Sequence, residues 1–377
     1  MKLTEYRVDD LMRLVRRQVD VREGEIYHEI GLRSFGNGVF HKPPVTGEEL
    51  GGKKVFHVKP GDLLFSSVFA WEGAVALASE QESGRIGSHR FMTYEVDTTR
   101  ANPRYLLHYF YGGPGLQVIR ESSPGSAGRN RTLGIKNFER QIVRVPGRDE
   151  QCRIASKLDA AMSQIAQFAN LRAHSSQLAR QYTDSLLRPI VDRAPLSVGL
   201  RQSRNMVDVE PESRYAITGI YSFGRGLIKR PTILGSDTAY VRLARLHAGQ
   251  VVMSKLNAWE GALAVVGDAF DETYVSPEYP SFDINDTDVD PSYIEHLLGW
   301  PGLWSSLTPR GSMVRRKRTT PATLLATEVP LPSLTEQRRI ARQLTMVREA
   351  TDAGAEQTAQ VAALRPALLN AAFSGQL

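Results

Sequence analysis

Apolar residues recur at helical spacing over two long stretches of the chain. The first stretch follows a 4-3-4-3 spacing that resumes further on: Ile154, Leu158, Ala161, Ile165 and Phe168, then Leu178, Tyr182 and Leu186. The second has a weaker middle: Ile340, Leu344 and Val347, then Thr351 and Gly354, then Val361 and Leu368. This spacing predicts two helices of roughly 55–60 Å, each with a narrow apolar seam. We expect the two seams to pack on each other as an antiparallel coiled coil.

Two shorter helices are predicted by a polar residue followed by proline, at Asn102-Pro103 and at Asp290-Pro291. Asn or Asp at the N-cap accepts a backbone N–H, and proline fits the first helical position because no N–H is needed there. The acidic run Asp283–Asp290 resembles a calcium loop, but Pro291 stands where such a loop needs glycine. We therefore expect a solvated connector and no metal site.

The chain is internally duplicated. AWEGA occurs at 70–74 and again at 258–262, and the same offset of 188 positions carries SFG from 34–36 onto 222–224. With a two-residue slip, VPGRDEQCRIASKL (145–158) aligns with LPSLTEQRRIARQL (331–344) at the start of each long helix. The predicted order is globule, long helix, globule, long helix, which is an α+β architecture with pseudo-twofold symmetry.

Composition narrows the class of protein. The 377 residues are 41% hydrophobic and 23% charged, as in ordinary globular chains of two or three domains. No apolar run is long enough for a signal peptide or a bilayer span. Cys152 is the single cysteine, which excludes an intrachain disulfide and a cysteine metal cluster. We expect a cytoplasmic protein. The net charge of +6 is compatible with a polyanionic partner.

The repeated motifs resemble those of one known family. The helix starts P-x-x-x-E-Q-x-R-I-A, the paired SFGxG and AWEGA segments and the C-terminal LLNAAFSGQL are similar to the specificity subunits of type I restriction–modification systems. The similarity covers essentially the whole chain. The first copy departs from the pattern at Gly147-Arg148 and Cys152, and its helix ends in LLRPIVDRAP instead of AFSGQL.

This resemblance implies a division of labour along the chain. It assigns target-recognition domains to residues 1–146 and 191–332, each reading half of a split site in double-stranded DNA, and spacer helices to 147–190 and 333–377. It also implies two methyltransferase (modification) subunits and restriction/motor subunits as partners, and no membrane. No cofactor is expected in this chain, since S-adenosylmethionine, ATP and Mg would belong to the partners.

A basic loop in each copy is the first candidate DNA surface. SSPGSAGRNRT (122–132) aligns with TPRGSMVRRKRT (308–319), and both carry Gly-Ser followed by basic residues. The alternative is a solvated basic loop. Arginine neutralises phosphate and also pairs with guanine, and asparagine pairs with adenine. The predicted contacts are Arg129, Asn130 and Arg131 in the first loop, and Arg310, Ser312, Arg315, Arg316, Lys317 and Arg318 in the second.

The glycine-rich turn is the second candidate. GNGVFHK (36–42) and GRGLIKR (224–230) share glycines but display different polar residues, as expected of two readers of different half-sites. The alternative is a hairpin turn with incidental polar residues. The predicted contacts are Asn37, His41, Lys42, Arg225, Lys229 and Arg230. AWEGA is interpreted as framework common to both copies. We expect Gly73 and Gly261 to adopt a backbone conformation reserved for glycine, with Trp71 and Trp259 packed beneath them. Lys255, close to the second AWEGA, is a further predicted phosphate contact.

Two other classes of protein remain open. An enzyme would need a catalytic set, but the sequence has no P-loop, methyltransferase or nuclease motif, and the duplicated His108 and His296 are interpreted as packing residues. We therefore predict a non-catalytic subunit. The third class is a DNA-binding coiled-coil tethering protein without a methyltransferase partner.

Overall fold

The computed structural model describes residues 2–125, 131–307 and 318–377 and divides into two compact units. Unit 1 comprises Met1–Asn170 and Gln357–Leu377, and unit 2 comprises Leu171–Glu356. Both divisions fall inside long helices, so each unit contains part of both helices. Each unit also contains strands, which agrees with the predicted mixture of helix and sheet.

Unit 1 is built around a four-stranded antiparallel sheet with the strand order β2-β11-β8-β9. A separate two-stranded sheet pairs β1, the first strand of the unit, with β12, which leads into the long helix α6. The strands are β1 Leu3–Arg7, β2 Met12–Val15, β3 Ile26–Tyr27, β4 Ile30–Leu32, β5 Val39–His41, β6 Val45–Thr46, β7 Val55–His57, β8 Leu63–Ser66, β9 Val75–Leu77, β10 Ile86–Ser88, β11 Phe91–Val96 and β12 Ile142–Pro146. The helices are α1 Val8–Leu11, α2 Gly47–Leu50, α3 Pro103–Tyr111, α4 Gly115–Glu121, α5 Ile135–Glu139 and α6 Arg148–Leu187.

Unit 2 repeats this topology, with a four-stranded sheet in the order β14-β24-β21-β22 and a pair β13-β25 leading into the second long helix. The strands are β13 Arg193–Pro195, β14 Leu200–Gln202, β15 Met206–Asp208, β16 Arg214–Tyr215, β17 Thr218–Ile220, β18 Leu227–Lys229, β19 Ile233–Leu234, β20 Arg242–Arg245, β21 Val251–Met253, β22 Leu263–Val265, β23 Tyr274–Val275, β24 Ser281–Ile284 and β25 Glu328–Pro330. The helices are α7 Pro291–Leu298, α8 Pro301–Ser306, α9 Pro321–Leu325 and α10 Leu334–Phe373. In each sheet one central strand, β8 or β21, is fully buried, because helices cover its apolar face.

The two predicted proline-initiated helices are confirmed as α3 and α7. Asn102 Oδ1 accepts the N–H groups of Arg104 and Tyr105, and Asp290 Oδ1 accepts that of Tyr293. The side-chain oxygen therefore satisfies N–H groups that the helix itself leaves unpaired.

The glutamine of each E-Q motif joins a long helix to one of these N-caps. Gln151 is 1% exposed, accepts the N–H of Asn102 and donates to the carbonyl of Pro146. Gln337 is also 1% exposed and makes the same pair of bonds, to Asp290 and Pro332. The repeated motif is therefore a buried polar joint between the globular part and its helix.

The long helices α6 and α10 are each 40 residues long, close to the predicted length. Their termini lie in the cores of the units, where Ile154, Leu158 and Leu369 are buried in unit 1. Ile340 and Leu344 are buried in unit 2. The ends therefore draw stability from the globular cores, and the helix middles are more exposed.

The C-terminal AFSGQL motif belongs to the core of unit 1. Ala372 is buried, and the Phe373 ring lies edge-on to Tyr105 and Tyr109 with ring centroids 5.6 Å apart. Arg153 donates to the main-chain carbonyl of Leu377 at 2.8 Å. The motif thus anchors the end of α10 to the first globular part and to the start of α6.

The predicted seam of α6 is wrong at Leu178 and Tyr182 but correct at Leu186, which packs against the core of unit 2. Leu178 is 50% exposed and Tyr182 is 39% exposed, whereas Arg172, Ala179 and Thr183 are half-buried. The next half-buried positions after Phe168 are 172, 176, 179 and 183, at 4-4-3-4 spacing, and the last two follow Leu178 and Tyr182 by one position. The seam therefore runs through small and polar residues.

Arg172 explains how a polar residue fits this seam. Its Nη2 donates to the carbonyl of Thr351 at 3.0 Å, and its guanidinium lies over Gly354. A Cβ at position 354 would collide with that guanidinium. The glycine in the weak middle of the second seam therefore leaves room for the Arg172 side chain.

No helix of the described residues is long and apolar enough to cross a membrane.

Candidate nucleic-acid interface

The SFGxG turn of each unit is bonded to the AWEGA turn. In unit 1, the N–H of Phe35 donates to the Glu72 carbonyl at 2.9 Å, and that of Gly36 donates to the Gly73 carbonyl at 3.0 Å. The Ser34 hydroxyl also donates to the Glu72 carboxylate at 2.9 Å. Unit 2 repeats both backbone bonds, from Phe223 to Glu260 at 2.7 Å and from Gly224 to Gly261 at 3.0 Å. The two sequence motifs that recur together therefore form one local structure.

The predicted glycine conformation in AWEGA is confirmed. Gly73 and Gly261 have φ angles of 79° and 80°, in the left-handed region, and each ends a short 3-10 turn. Trp71 and Trp259 pack against the cores of their units and donate their indole N–H groups to the carbonyls of Val68 and Leu256, but the atoms nearest the two glycines belong to other residues.

Other aromatic residues pack against these glycines. The main chain of Tyr111 lies against Gly73, with its carbonyl oxygen 2.5 Å from where a Cβ would stand, and the Tyr111 ring lies against Gly36. In unit 2 the Trp304 ring packs against both Gly224 and Gly261. Helix α3 and helix α8 thus support the turns, and no side chain larger than hydrogen fits at the four glycines without displacing them.

The basic loop begins and ends next to the same turn. In unit 1, the Leu133 N–H donates to the Ser67 carbonyl at 2.8 Å, and the Arg131 guanidinium lies 5.5 Å from the centre of the Trp71 ring. In unit 2, the Thr319 N–H donates to the Lys255 carbonyl at 2.8 Å. The two candidate surfaces therefore meet at AWEGA in each unit. Seven predicted contacts lie outside the described residues: Arg129, Asn130, Arg310, Ser312, Arg315, Arg316 and Lys317.

Several of the predicted cations already have partners. His41 Nε2 lies 2.7 Å from Glu82, and Lys42 Nζ lies 3.6 Å from Glu29. Burial raises the pKa of the Glu82 carboxyl, but hydrogen bonds from Ser79 and His41 outweigh it and hold the pKa below its ordinary value. Glu82 therefore stays ionised and compensates any charge on His41.

Unit 2 contains two more paired cations. The Lys255 ammonium donates to the Pro277 carbonyl at 2.7 Å and is 3.9 Å from Glu278. Arg318 forms an ion pair with the same carboxylate at 2.9 Å. These partners leave Lys255 and Arg318 with less net charge for a phosphate than their sequence positions imply.

The remaining predicted residues are exposed on the glycine-rich turns. Asn37 donates to the Ser34 carbonyl at 2.9 Å, and Arg225 donates to the Ser222 carbonyl at 3.1 Å while stacking over Tyr221. Lys229 and Arg230 have no carboxylate partner within the described ranges. Unit 2 therefore presents three arginine or lysine side chains on this turn. The glycine-rich turn of unit 1 has one, Lys42, which is paired.

The duplicated histidines tie each globular part to a long helix. His108 Nε2 lies 2.7 Å from the Asp159 carboxylate, and His296 Nε2 lies 2.8 Å from the Thr345 hydroxyl. Burial lowers the pKa of both imidazoles, and that of His296 falls to about 4 with a further contribution from Arg348. They act as packing residues, as the sequence predicts.

Within the described ranges, one group of side chains has the ligand types and spacing of a metal site. His247, Asp271 and Glu272 bring one ligand atom each within 4.8 Å of one another. Arg245 forms an ion pair with the same Glu272, so an internal cation already compensates this carboxylate. The group is solvent-exposed and has no counterpart in unit 1, where Lys59, Ser83 and Gly84 occupy the equivalent positions.

Comparisons with known proteins identify the fold. A chain of a type I R-M system, from a structure of its complex assembly and conformational transition, matches with a TM-score of 0.63 and 19% identity, covering 100% of this chain and 98% of that chain. The S subunit of a type I restriction–modification system from M. genitalium matches with a TM-score of 0.55 and 12% identity, over 99% and 96% of the two chains. An HsdS subunit from Thermoanaerobacter tengcongensis aligns with a TM-score of 0.47 and 18% identity, over 100% and 97%.

No family model and no curated protein matches the chain. The first two structures are full-length matches, so the chain has the fold of type I restriction–modification S subunits along its entire length. The resemblance drawn from the motifs is thereby confirmed for the fold.

Two residues of this surface lie outside the predicted contacts. Phe35 and Phe223 are 68% and 64% exposed at the tips of the SFGxG turns. The sequence signal for these residues is that the same phenylalanine occurs in both copies. A repeated phenylalanine ordinarily indicates a core position, so this signal does not predict an exposed ring. Only the structure shows that both rings face solvent.

Proposed function

We propose that this chain is the non-catalytic specificity subunit of a type I restriction–modification complex, which binds double-stranded DNA at a bipartite, asymmetric site. The observation that carries the proposal is the repeated surface. In each unit the SFGxG turn and the ends of the basic loop meet at AWEGA, within a fold shared with S subunits over the whole chain. Two copies of one framework with different polar side chains suit two different half-sites.

The recognition domains in this proposal are residues 1–146 and 191–332, and the spacer helices are 147–190 and 333–377. An antiparallel arrangement of the helices is supported inside each unit. In unit 1, Arg153 near the start of α6 bonds to Leu377. In unit 2, Arg172 bonds to Thr351, while Tyr182, further along α6, lies near Arg339, further back along α10. Such a pair would act as a ruler between the half-sites.

The charges suggest how DNA is held in unit 2. Arg225, Lys229 and Arg230 lie on a turn whose backbone is fixed by hydrogen bonds, so only their side chains have to be ordered on binding. Cations at a turn neutralise phosphates and release counterions, whereas base choice needs a side chain inserted into the groove. We assign phosphate contact to Lys229 and Arg230, and base contact to Arg225, because its counterpart in the first copy is the uncharged Asn37.

The proposal places the chemistry in other chains. Two methyltransferase subunits would bring S-adenosylmethionine, and restriction subunits would bring ATP and Mg. One structural neighbour comes from a structure of the complex assembly of a type I R-M system, and this supports such partners.

Methylome sequencing tests the proposal directly. Cells that carry this chain with its methyltransferase are expected to show one split, asymmetric methylated motif, and cells with the methyltransferase alone are expected to lack it. A coiled-coil tethering protein, the second candidate, would produce no motif. Its absence in cells where both chains are soluble and associated would refute the specificity role.

A charge series adds a quantitative test in vitro. Replacing Lys229 and Arg230 by Ala is expected to weaken DNA binding and to lower the slope of log K against log[salt] by roughly 0.9 per lost contact. Lys42→Ala is the matched control, since Lys42 occupies the position of Arg230 in the first copy but is paired with Glu29. A smaller effect is expected there. Equal effects would show that the ion pair does not decide which cation meets DNA.

A further inference from the structure

Phe35 and Phe223 combine two unfavourable features that normally exclude phenylalanine. Their φ angles are 61° and 63°, in the left-handed region, which costs a bulky residue about 1–2 kcal/mol relative to glycine. Their side chains are also mostly in water, so core packing does not compensate. Of the non-glycine residues described, only these two and Glu272 have positive φ.

The backbone around each phenylalanine is held rigidly. The N–H of Phe35 and that of Gly36 are bonded to AWEGA, and Arg365 of helix α10 donates to both of their carbonyls, at 3.2 Å and 3.0 Å. The same two backbone bonds hold Phe223 and Gly224 in unit 2. Strain that the surrounding structure maintains in both copies of a duplicated domain indicates a use for the exposed ring.

The charge around these rings favours a polyanion as the occupant. The segments RSFGNGVFHK (33–42) and YSFGRGLIKR (221–230) contain six basic or histidine residues and no acidic residue. The ends of the basic loops are bonded to the chain just before the same AWEGA turns, from Leu133 to Ser67 and from Thr319 to Lys255. An exposed apolar ring on a segment with an excess of basic residues suits a nucleic acid, which offers phosphates next to flat, stackable bases.

Identity between the copies also points to stacking. Residues that choose bases should differ between two domains reading different half-sites, as Asn37 and Arg225 do. Stacking on a base tolerates any sequence because every base has an aromatic face. A phenylalanine wedge can therefore be the same in both domains.

We propose that Phe35 and Phe223 are wedges, each inserted against a base step at its half-site so that the step is partly unstacked. This inference rests on the proposed DNA-binding function and adds to it a sequence-independent contact that fixes each domain on the duplex. The rigid, strained turn keeps the ring extended before DNA arrives, so binding does not have to order it.

The test uses the chain in complex with its methyltransferase subunit and a duplex carrying the methylated motif, with 2-aminopurine placed in turn along each half-site. The methylated adenine is left unlabelled, because a methyltransferase flips that base out by itself. Wild-type complex is expected to raise the 2-aminopurine fluorescence at one other step in each half. Phe35→Gly is expected to abolish the signal in the first half only, and Phe223→Gly in the second only. Each change is expected to weaken binding about tenfold, as for loss of one stacked base.

Glycine separates the use of the ring from its structural role. Because glycine adopts positive φ without strain, Phe35→Gly is expected to raise the thermal unfolding midpoint while DNA affinity falls. Phe35→Trp keeps an aromatic face and is expected to retain the fluorescence signal. Tyr240→Ala, which removes an exposed aromatic residue outside the turns, is the control and is expected to leave binding unchanged.

The possible results separate failure of the phenylalanine wedges from failure of the proposed DNA-binding function. If the wild-type complex shows no preference for the methylated motif, the proposed function fails. If the wild type binds but both glycine variants bind equally well with unchanged fluorescence, the function stands and the wedges are refuted. If the glycine variants instead lose the methyltransferase subunit in sedimentation experiments, the rings dock a protein and the wedge assignment is again overturned.

Discussion

Gly73→Ala tests whether AWEGA is the framework on which the candidate surface is built. Gly73 has φ of 79°, which costs alanine about 1–2 kcal/mol. The new Cβ would also stand 2.5 Å from the carbonyl oxygen of Tyr111, a main-chain atom that cannot rotate away. Relieving this clash shifts the backbone at Gly73 and weakens the hydrogen bond from the Gly36 N–H to the Gly73 carbonyl, which contributes about 1 kcal/mol. The expected loss of unfolding free energy is about 3 kcal/mol.

Gly61→Ala provides the matched control for backbone strain. Gly61 has a similar φ of 86°, but no atom lies within 4 Å of its added Cβ. Its substitution is therefore expected to cost only the strain, about 1–2 kcal/mol. The difference between the two variants isolates the close approach of Tyr111 to the turn.

Thermal and urea unfolding of the two variants give the measurement. For a unit of this size each kcal/mol corresponds to about 2–4 °C, so Gly73→Ala is expected to melt roughly 6–12 °C below wild type and Gly61→Ala about half as far below. Weaker binding to the first half-site is expected for Gly73→Ala alone. Equal melting shifts for the two glycines would refute the reasoning, because strain would then account for the whole effect.

Two further predictions concern the joints between the globular parts and the helices. Gln337→Leu is expected to cost about 2–4 kcal/mol in urea unfolding, since it leaves the Asp290 N–H and Pro332 carbonyl unpaired. Glu336→Ala, the neighbouring control, removes only a solvent-accessible ion pair with Arg339 and is expected to cost little. The folded-state pKa of His296 is about 4, below the ordinary value of about 6.5, so the unfolded chain takes up the proton first. Stability is therefore expected to fall between pH 6.5 and 4 and to be unaffected above, and a His296→Gln variant that kept the same pH dependence would contradict the assignment.

The duplication and the local rules of helix formation were accessible from the sequence. Asn102 and Asp290 predicted their helix starts because capping depends on neighbouring residues alone. The conformation of Gly73 followed from its repetition in a short motif, because only glycine adopts it without strain. The two long helices followed from their apolar spacing, and the whole-chain resemblance followed from motifs that keep their order.

The phase of the α6 seam could not be predicted in the same way. Leu178 and Tyr182 are apolar and fit a heptad, yet the structure places Arg172, Ala179 and Thr183 on the half-buried face. An arginine is acceptable there only because Gly354, on a different helix, leaves space for it. Arg172 and Gly354 are far apart in the chain, so the local sequence around either residue does not predict their contact.

The electrostatics of the candidate surface were likewise decided in three dimensions. His41 and Arg318 look like free cations in the sequence, but Glu82 and Glu278 fold against them. The sequence by itself determined the repeat, the helix starts, the glycine turns and the excess of positive charge, since these depend on composition and on residues close in the chain. Only the tertiary structure decided which cations stay unpaired and which rings face water, because charge pairing and burial depend on contacts between distant segments.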